Sequence, residues 1–284
     1  MKILFTTDLH GNMWKYKQLK AVASEHKPDI IINGGDMMPI DDGNIMNQGK
    51  FIQNQLAEQM KYYGDLGIYY LCLPGNHDLE IFDSLFEETC KKYANAFYLD
   101  NRKITINGYE FIGMSYIVDF PFDWKDRCRR DDKDYVPMEP FEKAVISEGK
   151  GLKEVKDWIS YIKGIPSIED ELKNLVNPDN MANTIYVMHM PPTKLGLGYC
   201  ESDLEDGSNA IYEFLRVNQP KMSLHGHVHG SPEISGKWYN NLDKTLCIQP
   251  GQTEEFVYVL IDTLCDASHN VSSVAQPIMR RIIV

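Results

Sequence analysis

Five short polar blocks constrain this chain most, because each follows directly on an apolar run that reads as a strand. They are "TTDLHGN" after "KILFT" (residues 2–6), "NGGDMMP" after "PDIII", "PGNHD" after "GIYYLCL", "VMHMPP" near residue 187 and "LHGHVHG" at 224–230. Helical spacing from Trp14 to Glu25, from about Phe51 to Leu66 and from about Phe82 to Tyr93 separates the first strands. That alternation predicts a layered α/β unit with parallel strands, in which functional groups collect at the strand C-terminal ends.

The texture then changes. "KITING" and "YEFIGMSYIV" meet at Asn107-Gly108, a hairpin signal for antiparallel pairing. Residues from Asp119 to about Ala182 are rich in charge and proline and read as an elaborated insertion, with helices expected in "GLKEVKDWISYIKGI" and "SIEDELKNLV". Regular structure resumes with strand "TIYVMH", a helix near Asn209 to Val217, strand "KMSLHGH" and further strands to the end. One domain of 284 residues, 43% hydrophobic and 25% charged, accommodates all of this around a substantial core.

The net charge of −12 opposes extended nucleic-acid binding and attraction to anionic membranes, so an anion site must carry its own positive charge. Nowhere do 18 apolar residues run together, and "MKILFTT" lacks a secretory pattern. Six scattered cysteines without a CxxC pair fit a reducing cytoplasm, where the sequon at Asn270-Val271-Ser272 stays unused.

The chemistry lies in the blocks. Asp8, His10, Asp36, Asn76, His189, His227 and His229 are too many donors for one tetrahedral ion, yet they suit two ions bridged by a carboxylate. Mixed imidazole and carboxylate donors favour Mn, Fe, Zn, Co or Ni over calcium. "DDGNIMNQG" at 41–49 only superficially resembles an EF-hand start, since no glutamate stands at the twelfth position. Singly, each donor has a structural explanation as a helix cap, turn residue or core histidine. In "LHGHVHG" an extended backbone would put His225, His227 and His229 on one face, unless the glycines turn the chain.

The order D-x-H, G-D, G-N-H-D, a lone H and G-H-x-H resembles the calcineurin-like metallophosphoesterase superfamily, from Met1 to about Asp119 and from Thr184 to about Gly251. The resemblance implies a four-layer sandwich of two mixed β-sheets flanked by α-helices. It assigns Asp8, His10, Asp36 and His229 to one metal and Asp36, Asn76, His189 and His227 to the other, which leaves His225 as a bystander. It further implies attack on phosphorus by a metal-held hydroxide, His77 assisting the departing oxygen and Asp78 orienting His77. Hydrolysis of a small phosphate mono- or diester is the expected activity. A non-catalytic metal-binding scaffold, a nuclease and a phosphoprotein phosphatase are the alternatives, the last weakened because "GDMM" and "GNHDL" stand where "GDxVDRG" and "GNHE" would be expected.

For substrate contacts, "YIVDFPFDWKDRCRR" (116–130) offers Tyr116 for stacking and Arg127 for a phosphate, and the loop after His189 offers Lys194. The same aromatics suit packing of the insertion's own small core, and Cys200 reads as an ordinary loop cysteine.

Overall fold

The computed structural model describes residues 1–40, 44–149, 151–200, 204–263 and 277–284. The sequon, Cys265 and the first three residues of the 41–49 segment lie outside them.

The strands, in chain order, are β1 (Lys2–Thr6), β2 (Ile30–Asn33), β3 (Tyr69–Cys72), β4 (Ala96–Tyr98), β5 (Lys103–Ile106), β6 (Tyr109–Met114), β7 (Ile117–Val118) and β8 (Cys128–Arg129). They continue with β9 (Val145–Glu148), β10 (Gly151–Glu154), β11 (Thr184–Met188), β12 (Met222–Leu224), β13 (Tyr239–Leu242), β14 (Thr245–Ile248), β15 (Val257–Asp262) and β16 (Ile278–Ile283). One six-stranded sheet runs β16-β15-β1-β2-β3-β4 and the other β13-β14-β12-β11-β6-β5. Parallel pairing from β1 through β4 puts all their C-terminal ends on one edge. The same holds for β6, β11, β12 and β14.

Period-two burial produces the layers. Ile3, Phe5, Ile30 and Ile32 meet Phe111, Ile185, Val187 and Leu224 in a core between the sheets. The intervening Leu4, Ile31 and Tyr70 pack under the helical segments Met13–His26, Ala57–Asp65 and Asp83–Cys90. On the far side Met114, Tyr186 and Met188 pack under Trp158–Lys163, Ile168–Asn174 and Asn209–Asn218. The result is the expected helix–sheet–sheet–helix sandwich. No described helix is long and apolar enough to cross a membrane.

Asn107 and Gly108 both take positive φ (51° and 80°), as a two-residue type I′ hairpin requires, and join antiparallel β5 and β6. Two local expectations change. "GLKEVKDWISYIKGI" splits: Gly151–Glu154 pairs antiparallel with β9, and the helix begins only at Trp158, where the Asp157 carboxylate caps Ser160 N–H at 2.9 Å. The helix near 51–66 starts earlier, at Met46, and passes through a π turn over Ile52–Leu56.

Candidate metal centre

Backbone geometry gathers the donors. The loop after β1 is laced to the loop after β2 by Asp8 N–H to Gly35 O (2.9 Å), His10 N–H to Asp36 O (2.8 Å) and Gly11 N–H to Met37 O (2.9 Å). His77 N–H donates to Asp36 Oδ1 at 2.8 Å, and His227 N–H to the Asp8 carboxylate at 3.1 Å. Asp8, His10, Asp36 and His227 all sit at positive φ (57°, 44°, 51° and 70°), a strain that non-glycine residues keep where the surroundings over-determine them. "LHGHVHG" is therefore not extended: β12 stops at Leu224, and the backbone turns sharply at His227. A Cβ on Gly226 would collide with Thr7 Oγ1 and lie 2.7 Å from Asp8 Oδ2, and one on Gly75 would collide with Asp36 Oδ1.

The sequence-predicted ligands converge in two overlapping groups. Donor atoms of Asp8, His10, Asp36 and His229 all lie within 4.8 Å of one another. Within that group His229 Nε2 is 3.4 Å from Asp8 Oδ1, and His10 Nε2 is 3.8 Å from Asp36 Oδ2. On the deeper side His189 Nε2 stands 3.5 Å from Asp36 Oδ2 and 3.1 Å from Asn76 Oδ1, and His227 Nδ1 is 2.8 Å from the same Asn76 oxygen. Asp36 belongs to both groups.

The ionisation states divide the ligands: the carboxylates and two of the four imidazoles are already in the ligating form. Burial raises the Asp8 carboxyl, but the His229 hydrogen bond and charge outweigh it and bring the group down to about 2. Asp36 is likewise held well below the usual carboxylate range, the His189 and His77 charges overcoming its burial. Burial pushes His10 down to about 4 and His227 to about 3, so both imidazoles are neutral, the form that binds metal. His189 is instead raised to about 9, because the Asp36 charge outweighs the penalty of its burial. Its Nδ1 lies 2.9 Å from Gly34 O, which as a donated N–H leaves Nε2 facing the carboxylates. His10 Nε2 and His229 Nε2 point into one space 3.0 Å apart, and His10 Nδ1 has no partner among the described residues. His229 is raised as well, the Asp8 hydrogen bond and charge outweighing its burial, so His10 and His227 are neutral while His189 and His229 would give up a proton to a bound divalent cation. Imidazoles and ionised carboxylates around a shared space fit such an ion.

Other expected residues fall differently. His225 is fully buried and adds no atom to these groups; its Nδ1 lies 3.0 and 2.9 Å from the Met188 and Met190 carbonyls, which flank His189. His77 lines the adjoining cavity, its ring 5.3 Å from that of His10 and 5.9 Å from that of Trp124. The expected orientation of His77 by Asp78 gives way to another role. The Asp78 carboxylate is turned inward, accepting N–H from Met37 (3.1 Å), Met38 (2.9 Å) and Gly75 (2.9 Å), and so it fixes two ligand loops to each other.

None of the three expected substrate contacts lines the cavity. Arg127 is buried, bonded to Asp78 O (3.1 Å), Ser115 Oγ (3.1 Å) and Asp83 Oδ1 (2.5 Å). Tyr116 lies under the Arg129 guanidinium, 3.9 Å from its ring centroid, and Lys194 reaches Asn209 Oδ1 at 2.6 Å and covers the Tyr212 ring. Their charges and faces are already used within the protein. The cavity of about 380 Å³ is walled instead by Phe120, Pro121, Phe122 and Tyr199. The sequence offers the aromatics of 116–130 for stacking and Tyr199 in the loop after His189, but singles out Tyr116 rather than Phe120 and Phe122. Cys200 also lines it, but burial raises its thiol, which argues against a reactive thiolate.

Two stacked sheets with imidazoles and carboxylates gathered at parallel strand ends define an α/β sandwich built around a candidate metal centre. The chain belongs to the calcineurin-like phosphoesterase family, whose profile matches residues 1–231. No curated protein sequence matches it. One solved crystal structure is similar at 20% identity, covering 92% of this chain and 94% of the other with a TM-score of 0.58. The protein TT1561 of Thermus thermophilus is similar at 16% identity over 92% and 93% of the two chains, with a TM-score of 0.54. These two likenesses concern the fold.

Proposed function

We propose that this chain is a two-metal phosphoesterase that hydrolyses small phosphate esters. The observation that carries the reading is the sharing of Asp36 between two converging donor groups, Asp8/His10/Asp36/His229 and Asp36/Asn76/His189/His227, beside an open cavity. Two divalent ions held there, with manganese one candidate, would polarise the phosphoryl oxygens and make a water acidic enough to deprotonate near neutral pH.

The protein's own groups do the rest. In hydrolysis the water oxygen forms a new bond to phosphorus, the bond to the ester oxygen breaks, and that oxygen takes up a proton. His77 lines the cavity, its buried Nδ1 has no partner among the described residues, and it is the group placed to deliver that proton. Trp124 limits the ring's movement from one side, and Asp78 holds the loop that carries it. Phe120 and Phe122 exclude water from the outer wall. A reducing cytoplasm is the compartment this reading takes; the buried Cys72 and Cys90 are free thiols that share a hydrogen bond at 3.6 Å.

Manganese-loaded protein should hydrolyse an aryl phosphodiester or monoester. His77→Ala should lower kcat by about 10²–10⁴-fold while metal content stays near two ions per chain. Two bound ions without turnover across a broad phosphoester panel would favour a non-catalytic scaffold. No more than one ion under saturating manganese would end the two-metal reading.

A further inference from the structure

The cavity wall beside the metal ligands is unusual in what it exposes. Phe120 stands with its ring 5.8 Å from that of His227, Phe122 follows at 5.4 Å from Phe120, and Phe141 at 6.1 Å from Phe122. The series runs from a half-buried ligand out to solvent, with Phe122 59% and Phe141 76% exposed. Isolated exposed apolar side chains need no explanation, but an aromatic row that opens beside a polar cluster marks a binding surface.

Its inner end is firmly placed. Lys125 Nζ is fully buried and bonded to the Phe120 carbonyl and to Asp119 Oδ1 (2.9 Å), and it lies 5.1 Å from the centroid of the Phe120 ring. Asp119 in turn accepts Trp158 Nε1–H at 3.1 Å. A buried lysine, aspartate and tryptophan thus fix the backbone and ring of Phe120 while its neighbour projects outward. Structural packing accounts for Trp158; it does not account for exposed Phe122.

The charge on the wall is equally specific. Among the described residues no lysine or arginine lines the cavity, and Asp206 does. Apart from His77, the second negative charge of a phosphomonoester would find no cationic side chain outside the ligand cluster among the described lining residues, whereas a diester carries only one charge.

We infer that Phe120 and Phe122 form a stacking wall for a planar aromatic group of the substrate, and that the cavity takes a singly charged aryl- or nucleobase-bearing phosphodiester. This inference rests on the phosphoesterase reading and narrows it to a substrate class.

Two probes of equal charge isolate the wall: methyl phenylphosphonate and methyl methylphosphonate, as competitive inhibitors of the manganese-loaded full chain. Stacking predicts that the phenyl compound binds about 3- to 10-fold more tightly. That ratio should fall to near one in Phe122→Ala and return in Phe122→Tyr. Phe122 is exposed, so the fold is not at stake, and equal melting temperatures confirm this. The wild type should also prefer bis(4-nitrophenyl) phosphate to 4-nitrophenyl phosphate in kcat/KM. An unchanged inhibitor ratio in Phe122→Ala, or a preference for the monoester, overturns the inference while leaving the phosphoesterase reading intact. If no ester is turned over at all, it is that reading which fails.

Discussion

Buried charges crowd two parts of this molecule, the strand ends and the 119–182 insertion, and the two are built on opposite plans. At the strand ends Asp8, Asp36 and their histidines all face one shared space and, beyond Asn76 and a few backbone groups, their partners are one another. In the insertion each charge is closed off. Arg127 meets Asp83 and Ser115, Lys125 meets Asp119, and Arg129 lies 3.3 Å from Glu171. Asp131 accepts N–H from Asn209 (2.9 Å) at the start of the Asn209–Asn218 helix. Residue types alone do not separate a site from a scaffold; what separates them is whether the groups converge on open space or on each other.

The largest effect expected from this difference comes from Asp36, the residue both donor groups share. Asp36→Asn should lose both metal ions and at least about 10³-fold in kcat/KM, the several kcal/mol that such charge stabilisation supplies. Metal analysis after gel filtration, with circular dichroism to verify the fold, checks it. Retention of two ions would break the claim that the strand ends form one shared centre.

Arg127 should behave in the contrary way. Its loss leaves Asp83, and Asp100 at 3.9 Å, without their cation, so Arg127→Met should cost about 3–5 kcal/mol of stability. Adding Asp83→Asn should recover part of that cost, measured by urea unfolding. If Arg127→Met unfolds at the wild-type midpoint but raises KM, the arginine belongs with the substrate after all.

This contrast also explains what could be read from the residues alone. The donors were legible because their blocks fall at strand ends, and the α/β alternation supplies the strands. Lacing of the 8–11 and 35–37 loops then follows from parallel pairing of β1 and β2. The positive φ at His227 was not legible, since a Gly-His-Val-His run reads equally well as extended. Arg127 was misplaced for a different reason: its partners Asp83 and Ser115 stand 44 and 12 residues away, and no local period announces them. Asp78 shows the same limit. The resemblance implies a side-chain pair with His77, whereas its real partners are backbone groups some 40 residues upstream and at Gly75.

Glu80, outside the insertion but facing its Arg127 and Arg129, is the least closed of these carboxylates, and it gives the smallest expected effect. Its nearest paired arginine nitrogen, on Arg129, is 3.8 Å away, and burial raises its carboxyl to about 7, with Arg127 and Arg129 opposing the rise. An unfolded glutamate titrates near 4.3. Below that value both states are protonated and the folded state keeps its full advantage. Between it and about 7 the unfolded chain releases a proton that the folded chain retains, so this group's contribution to stability is lost as pH rises. Glu80→Gln abolishes the titration and should therefore be more stable than wild type at about pH 8, by about 1 kcal/mol once solvent screening at a side chain 38% exposed is allowed for. The advantage should vanish near pH 4.5, where glutamate is itself neutral. Paired denaturation midpoints at the two pH values decide it. A variant less stable than wild type at pH 8 would mean that Arg129 closes this charge as it closes Glu171, and the carboxylate facing the insertion at position 80 would then not be weakly paired.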